Sequence, residues 1–148
     1  LGGSTSEVNT KSCVPSAQCL SGSMNMGIVG VRQSTLCCDK DNCNNGTSPA
    51  PVVGTANGRQ CFSCESADCS SRIQCAGDED RCLSATGVAT TLKGCATQSA
   101  CSGALLENLY LVGAKLTCCE GDLCNSAWSA THSVLFLLWP LGSVLLFH

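Results

Sequence analysis

The chain has 148 residues, a formal net charge of −3, 13% charged residues and 15 cysteines. Cysteine at about one residue in ten marks a disulfide scaffold from an oxidising compartment, and eight scattered Lys and Arg exclude a nucleic-acid partner and a polybasic membrane patch. Both histidines, His132 and His148, lie near the C-terminal end, so residues 1–131 hold no Ser-His-Asp or Cys-His arrangement and no His-ligated zinc.

Four of the six aromatics (Trp128, Phe136, Trp139 and Phe147) fall in the last 21 residues, which leaves Phe62 and Tyr110 for everything before. Two rings cannot build a sizeable core, so covalent staples are expected to replace one.

In chain order, the first group of cysteines is 13, 19, 37, 38 and 43, with gaps of 6, 18, 1 and 5. The last five of the second group, 95, 101, 118, 119 and 124, have gaps of 6, 17, 1 and 5. Flanking residues agree: Cys37-Cys38-Asp39-Lys40-Asp41-Asn42-Cys43-Asn44 matches Cys118-Cys119-Glu120-Gly121-Asp122-Leu123-Cys124-Asn125. A module is therefore duplicated. Residues 1–44 are expected to be the C-terminal part of a first, truncated copy, with its opening half lying before Leu1 and one thiol left without a partner.

Residues 45–59 form a linker rich in Pro and Gly. Asn45-Gly46-Thr47 at its start is an N-glycosylation acceptor, and Asn45 is the expected site. Residues 60–125 hold a whole second copy, with ten cysteines over 64 residues. Sequence alone does not choose among their pairings. Adjacent Cys118 and Cys119 are expected to point to two different partners, and Cys119 with Cys124 can close a small loop. Cys61 and Cys64 have zinc-knuckle spacing, but Cys69 and Cys75 do not supply the second close pair, so no metal is expected.

Asp78-Glu79-Asp80 is the densest acidic run; it is expected to be a solvated loop, since calcium needs more oxygen ligands than one short run provides. Leu105, Leu106, Leu109, Tyr110, Leu111 and Val112 form the largest apolar cluster outside the tail. They make a candidate partner patch or pack against the neighbouring module. Carboxylate pairs exist, but nothing marks them off from surface acids, so the chain is expected not to be an enzyme and to need no cofactor.

The tail from Val134 to Phe147 is apolar for 14 residues, broken by Pro140, Gly142 and Ser143. As a helix it would cover roughly 21 Å against a hydrocarbon core of about 30 Å. Upstream stand Asn125-Ser126-Ala127 and a polar spacer. A small triplet, a spacer and an apolar end have the order of a glycosylphosphatidylinositol (GPI) attachment signal. Residues 126–148 are then expected to be removed on maturation, with Asn125 the attachment residue and Ser126 the alternative.

The run Cys61-x2-Cys64-x4-Cys69-x5-Cys75-x6-Cys82, Cys95-x5-Cys101 and Cys118-Cys119-x4-Cys124-Asn125 resembles the lymphocyte-antigen-6/urokinase-receptor (LU, three-finger) superfamily. The closing Cys-Cys-x4-Cys-Asn occurs twice, as in the urokinase-receptor-like members with more than one domain. The resemblance implies an all-β, small disulfide-rich fold of tandem three-finger, snake-toxin-like modules. It implies bridges Cys61–Cys82, Cys64–Cys69, Cys75–Cys95, Cys101–Cys118 and Cys119–Cys124, and in the first copy Cys19–Cys37 and Cys38–Cys43. Cys13 would be unpaired here. Asn125 and Asn44 would have a structural role, each tying the end of a domain to its own start. Finger one would be Phe62 to Gln74, finger two Leu83 to Gly94 with Gly87 in its turn, and finger three Ser102 to Thr117. The function implied is a GPI-anchored protein on the extracellular face of the plasma membrane that binds an extracellular protein ligand through its finger loops. The alternative is a secreted inhibitor of an extracellular enzyme such as a phospholipase.

Overall fold

The computed structural model describes residues 5–87, 90–102 and 114–126. Seven strands and three short 3-10 turns are found among them: β1 (Gly22–Asn25), β2 (Gly30–Gln33), β3 (Ala56–Glu65), β4 (Asp68–Ala76), β5 (Arg81–Thr86), β6 (Thr91–Ala96) and β7 (Lys115–Cys119). The fold of the described residues is all-β, small and disulfide-rich.

The short spacers between cysteines favour hairpins. β3 and β4 pair antiparallel from Gln60↔Gln74 through Ser63↔Ser71, and irregularities between Ala56 and Gln60 and between Ser63 and Glu65 bend the ribbon. This hairpin, finger one, is a separate two-stranded sheet. β5 and β6 pair from Arg81↔Ala96 to Thr86↔Thr91, and the Gly87 N–H donates to the Thr90 carbonyl across the turn at 2.9 Å. That is finger two. β7, the returning strand of finger three, lies on the other side of β5, with Leu83 opposite Cys118 and Cys82 opposite Cys119. The outgoing half of finger three, including Leu105, Leu106, Leu109, Tyr110 and Leu111, lies outside the described residues.

The first copy contributes the β1–β2 hairpin, closed at its base by Cys19–Cys37. It does not stand apart across the linker. β1 pairs antiparallel with β6, Met24 opposite Ala96 and Asn25 opposite Cys95, so one five-stranded sheet runs β2-β1-β6-β5-β7 through both copies.

Alternation along the strands divides the interior in two. Cys82, Cys95 and Cys119 face one side, where they join Cys61 and Cys75; the four half-cystines Cys61, Cys75, Cys82 and Cys95 are fully buried, with Ile73 and Cys124 against them. The next residues along, Leu83, Ala96 and Cys118, face the other side. There Met24, Met26, Leu83, Ala85, Ala96 and Ala100 form a compact apolar cluster. One core is therefore made of sulfur bridges. The other is an ordinary apolar core, which the scarcity of rings did not lead us to expect, and two methionines of the first copy supply much of it.

Candidate functional site

The palm of the second copy is covalently closed. Cys61 is joined to Cys82, Cys64 to Cys69, Cys75 to Cys95, Cys101 to Cys118 and Cys119 to Cys124. In the first copy Cys19 is joined to Cys37 and Cys38 to Cys43, while Cys13 is a free, exposed thiol. Adjacent Cys118 and Cys119 stitch opposite faces of one strand, each to its own partner. The Sγ atoms of Cys61, Cys75 and Cys95 lie within 4.8 Å of one another. All three are committed to disulfides, so none offers the thiolate that a zinc ion requires.

Asn125 closes the module. Its side chain is 6% exposed, accepts from the Phe62 N–H at 2.9 Å, and donates to the carbonyls of Phe62 at 3.0 Å and Leu83 at 2.8 Å. Two residues earlier the Leu123 N–H donates to the Gln60 carbonyl at 2.8 Å, and the Asp122 carboxylate accepts from the Gln60 N–H at 3.2 Å. Asn44, by contrast, is exposed in the turn Cys43–Asn45 and makes no side-chain hydrogen bond among the described residues. By the Cys43–Cys124 offset the counterpart of Leu83 is Gly2, which lies outside the described residues, and Phe62 has no counterpart in the given sequence. Asn45 is exposed, and its carbonyl accepts from the Lys11 ammonium at 3.0 Å. Ser126 is exposed, and the apolar tail beyond it lies outside the described residues.

The acidic run differs from the solvated loop expected of it. Glu79 is 0% exposed. One carboxylate oxygen accepts from the Ser23 hydroxyl at 2.9 Å and the other from the Ala76 N–H at 3.0 Å. The turn after β4, with Gly77 at φ +58°, carries the chain back so that Glu79 points inward. Asp80 pairs instead with Arg81 at 3.1 Å, and Arg81 also reaches Glu120 at 3.5 Å. Sequence reasoning missed the role of Glu79 because three acids in a row look alike until a turn sorts them. It missed Met24 and Met26 too, although Ser23-Met24-Asn25-Met26 already shows the period-two alternation of a half-buried strand.

A cleft of about 330 Å³ opens where the first hairpin, the linker and the second copy meet, lined by Ser23, Arg32, Pro51, Asp78 and Thr97 among others. It is wide open. On finger one, Arg72 stands over the Phe62 ring at 5.9 Å, a cation–π contact across the β3–β4 ladder. No constellation of acid, base and nucleophile surrounds either feature among the described residues.

The geometry is thus that of rigid, sulfur-pinned hairpins, and the comparisons agree with it. A family model described as the u-PAR/Ly-6 domain matches residues 1–46 and again 57–127. The mouse urokinase plasminogen activator surface receptor is 34% identical over 105 residues, covering 61% of this chain and 32% of that protein. The rat protein of the same name is 35% identical over 108 residues, with 60% and 32% covered. Xenoxin-2 of Xenopus laevis is 38% identical over 53 residues, 36% of this chain and 77% of that protein. The chain spans 32% of the length of these mammalian receptors. With both matched stretches carrying the duplicated Cys-Cys-x4-Cys-Asn ending, the chain belongs to the u-PAR/Ly-6 domain family.

Proposed function

We propose that this chain is part of a non-enzymatic, GPI-anchored glycoprotein of the cell surface that binds an extracellular protein ligand through its finger loops. The observation that carries this reading is the likeness to proteins named as surface receptors, at 34–35% identity. The physical support is preorganisation. Bridges and the Asn125 clasp fix the bases of the hairpins, so a partner meeting their tips orders few further torsions and little entropy opposes binding. No helix among the described residues is long and apolar enough to cross a membrane, which is compatible with a lipid attached at Asn125 or Ser126. Of these two, Ser126 is the more accessible, because Asn125 is enclosed by its clasp.

Cells expressing the precursor are the place to test the anchor. Treatment with a phosphatidylinositol-specific phospholipase should release the protein into the medium, and retention on treated cells would refute the lipid attachment. The released, disulfide-intact protein should then bind saturably to an extracellular protein recovered by cross-linking and mass spectrometry. Absence of any saturable partner would refute the receptor reading.

A further inference from the structure

The seat of the first-copy hairpin on the second copy has the features of a strand-recognition site. The open edge of β6 offers backbone pairing to β1 over Met24↔Ala96 and Asn25↔Cys95. Flanking side chains read the incoming residues one by one. Ser23 is held four ways: its N–H donates to the Thr97 hydroxyl oxygen at 3.1 Å, its carbonyl accepts from the Thr97 N–H at 3.0 Å and from the Thr97 hydroxyl at 3.4 Å, and its hydroxyl donates to buried Glu79 at 2.9 Å. Met24 and Met26 fill the apolar socket made by Leu83, Ala85, Ala96 and Ala100. Asn25 lies between them with its carbonyl so close to Gly94 that any Cβ there would collide with it. Gly27, at φ +79°, turns the chain over Ser63 and Ile73 of finger one. Alternate pockets joined by main-chain pairing are how an added strand is recognised by sequence.

Among the described residues, no bridge joins the hairpin to the second copy, and the linker is the covalent connection between them. Cys19–Cys37 and Cys38–Cys43 lie wholly before the linker, and the other five bridges lie wholly after it. The hairpin brings its own closing bridge, Cys19–Cys37, which holds the ends of its two strands together when it leaves. The linker is exposed at Val52 (87%) and Val53 (68%) and contains Pro49 and Pro51; exchange of an identical element between protomers is a low-cost route to a dimer.

We propose that the β6 edge of the second copy is a sequence-reading strand site, occupied in cis by the Gly22–Gln33 hairpin and open to the same hairpin of a second copy of this chain. The chemistry read is a strand with a hydroxyl residue, then methionines two residues apart, then glycine. In cis the linker holds the hairpin at an effective concentration on the order of millimolar, so dilute chains fill their own site. Crowded chains, or chains cut in the linker, exchange hairpins.

The test uses the disulfide-bonded chain with a protease site replacing Ala50–Val53. After cleavage, size exclusion without reductant at micromolar protein should show both pieces travelling together. Mixing cleaved 15N-labelled and unlabelled protein should give hybrid complexes by native mass spectrometry. Met24→Asp, which leaves the second copy's sequence untouched, and Ser23→Ala should each weaken retention tenfold or more, with the disulfide map of both pieces unchanged. Gly94→Val should do the same from the other side. Pieces that part on cleavage with intact disulfide maps would overturn the site. Pieces that stay together but form no hybrids would overturn exchange with a second copy.

Discussion

Asn125 shows how one side chain can govern a module. Its amide spends one acceptor and two donors on the main chain of two strands that are otherwise joined only through sulfur. Asn125→Ala would leave the Phe62 N–H and two carbonyls without their partner in a nearly sealed place. We predict a loss of about 3 kcal/mol in denaturant unfolding of the oxidised protein, from unsatisfied buried groups; a change below ~0.5 kcal/mol would show that water replaces the amide. Glu79→Ala should cost about 1–3 kcal/mol by the same measurement, since the Ser23 hydroxyl and the Ala76 N–H both lose their acceptor. The structural role of Asn125 was expected from the family resemblance, whose closing motif it ends. That of Glu79 was not, because burial depends on which way a turn faces, and composition carries no such direction.

At the level of elements, the hairpin fingers were legible through the family resemblance that the cysteine run carries, with Gly87 available for the turn of the second finger. What the spacing could not disclose is that a strand has two faces with different tasks. Cys82 and Leu83, Cys95 and Ala96, and Cys119 and Cys118 are neighbours that serve opposite interiors. Most of the buried cysteines mark one of those faces, and on the other the cysteines are only the partly buried Cys101 and Cys118. The other was written in the alternation of Met24 and Met26, which is too short to be told from chance without its partner strand. Met24→Ala should therefore behave as a true core truncation. We expect about 2–5 kcal/mol of destabilisation, seen as a lower denaturation midpoint, and an increase in amide exchange at Asn25 and Ala96 together. Exchange rising in β1 alone would mean that β6 does not depend on the hairpin.

For the whole molecule, the sulfur core and the methionine core make distinct contributions. Replacing both Cys75 and Cys95 by Ala removes a bridge that closes a 20-residue separation and lies fully buried. Loss of such a native bridge typically costs about 2–5 kcal/mol, a large part of the ~5–15 kcal/mol that small domains possess. The expected result is a second copy that unfolds at 37 °C, so that a low concentration of dithiothreitol reduces its bridges while Cys19–Cys37 persists in the first, read by alkylation of the freed thiols and peptide mapping. Equal alkylation of both copies would show that they unfold as one unit.

The chain enters the second copy and leaves it at the same corner, because Leu123 is bonded to Gln60 and Asn125 to Phe62. Tension applied through the C-terminal end would meet this corner first, where the closing turn is bonded to β3. Cys119–Cys124 lies in series with it and stops further extension. Pulled from this end, the module would thus stay mechanically quiet at its fingers, because the load is taken up at the corner beneath them.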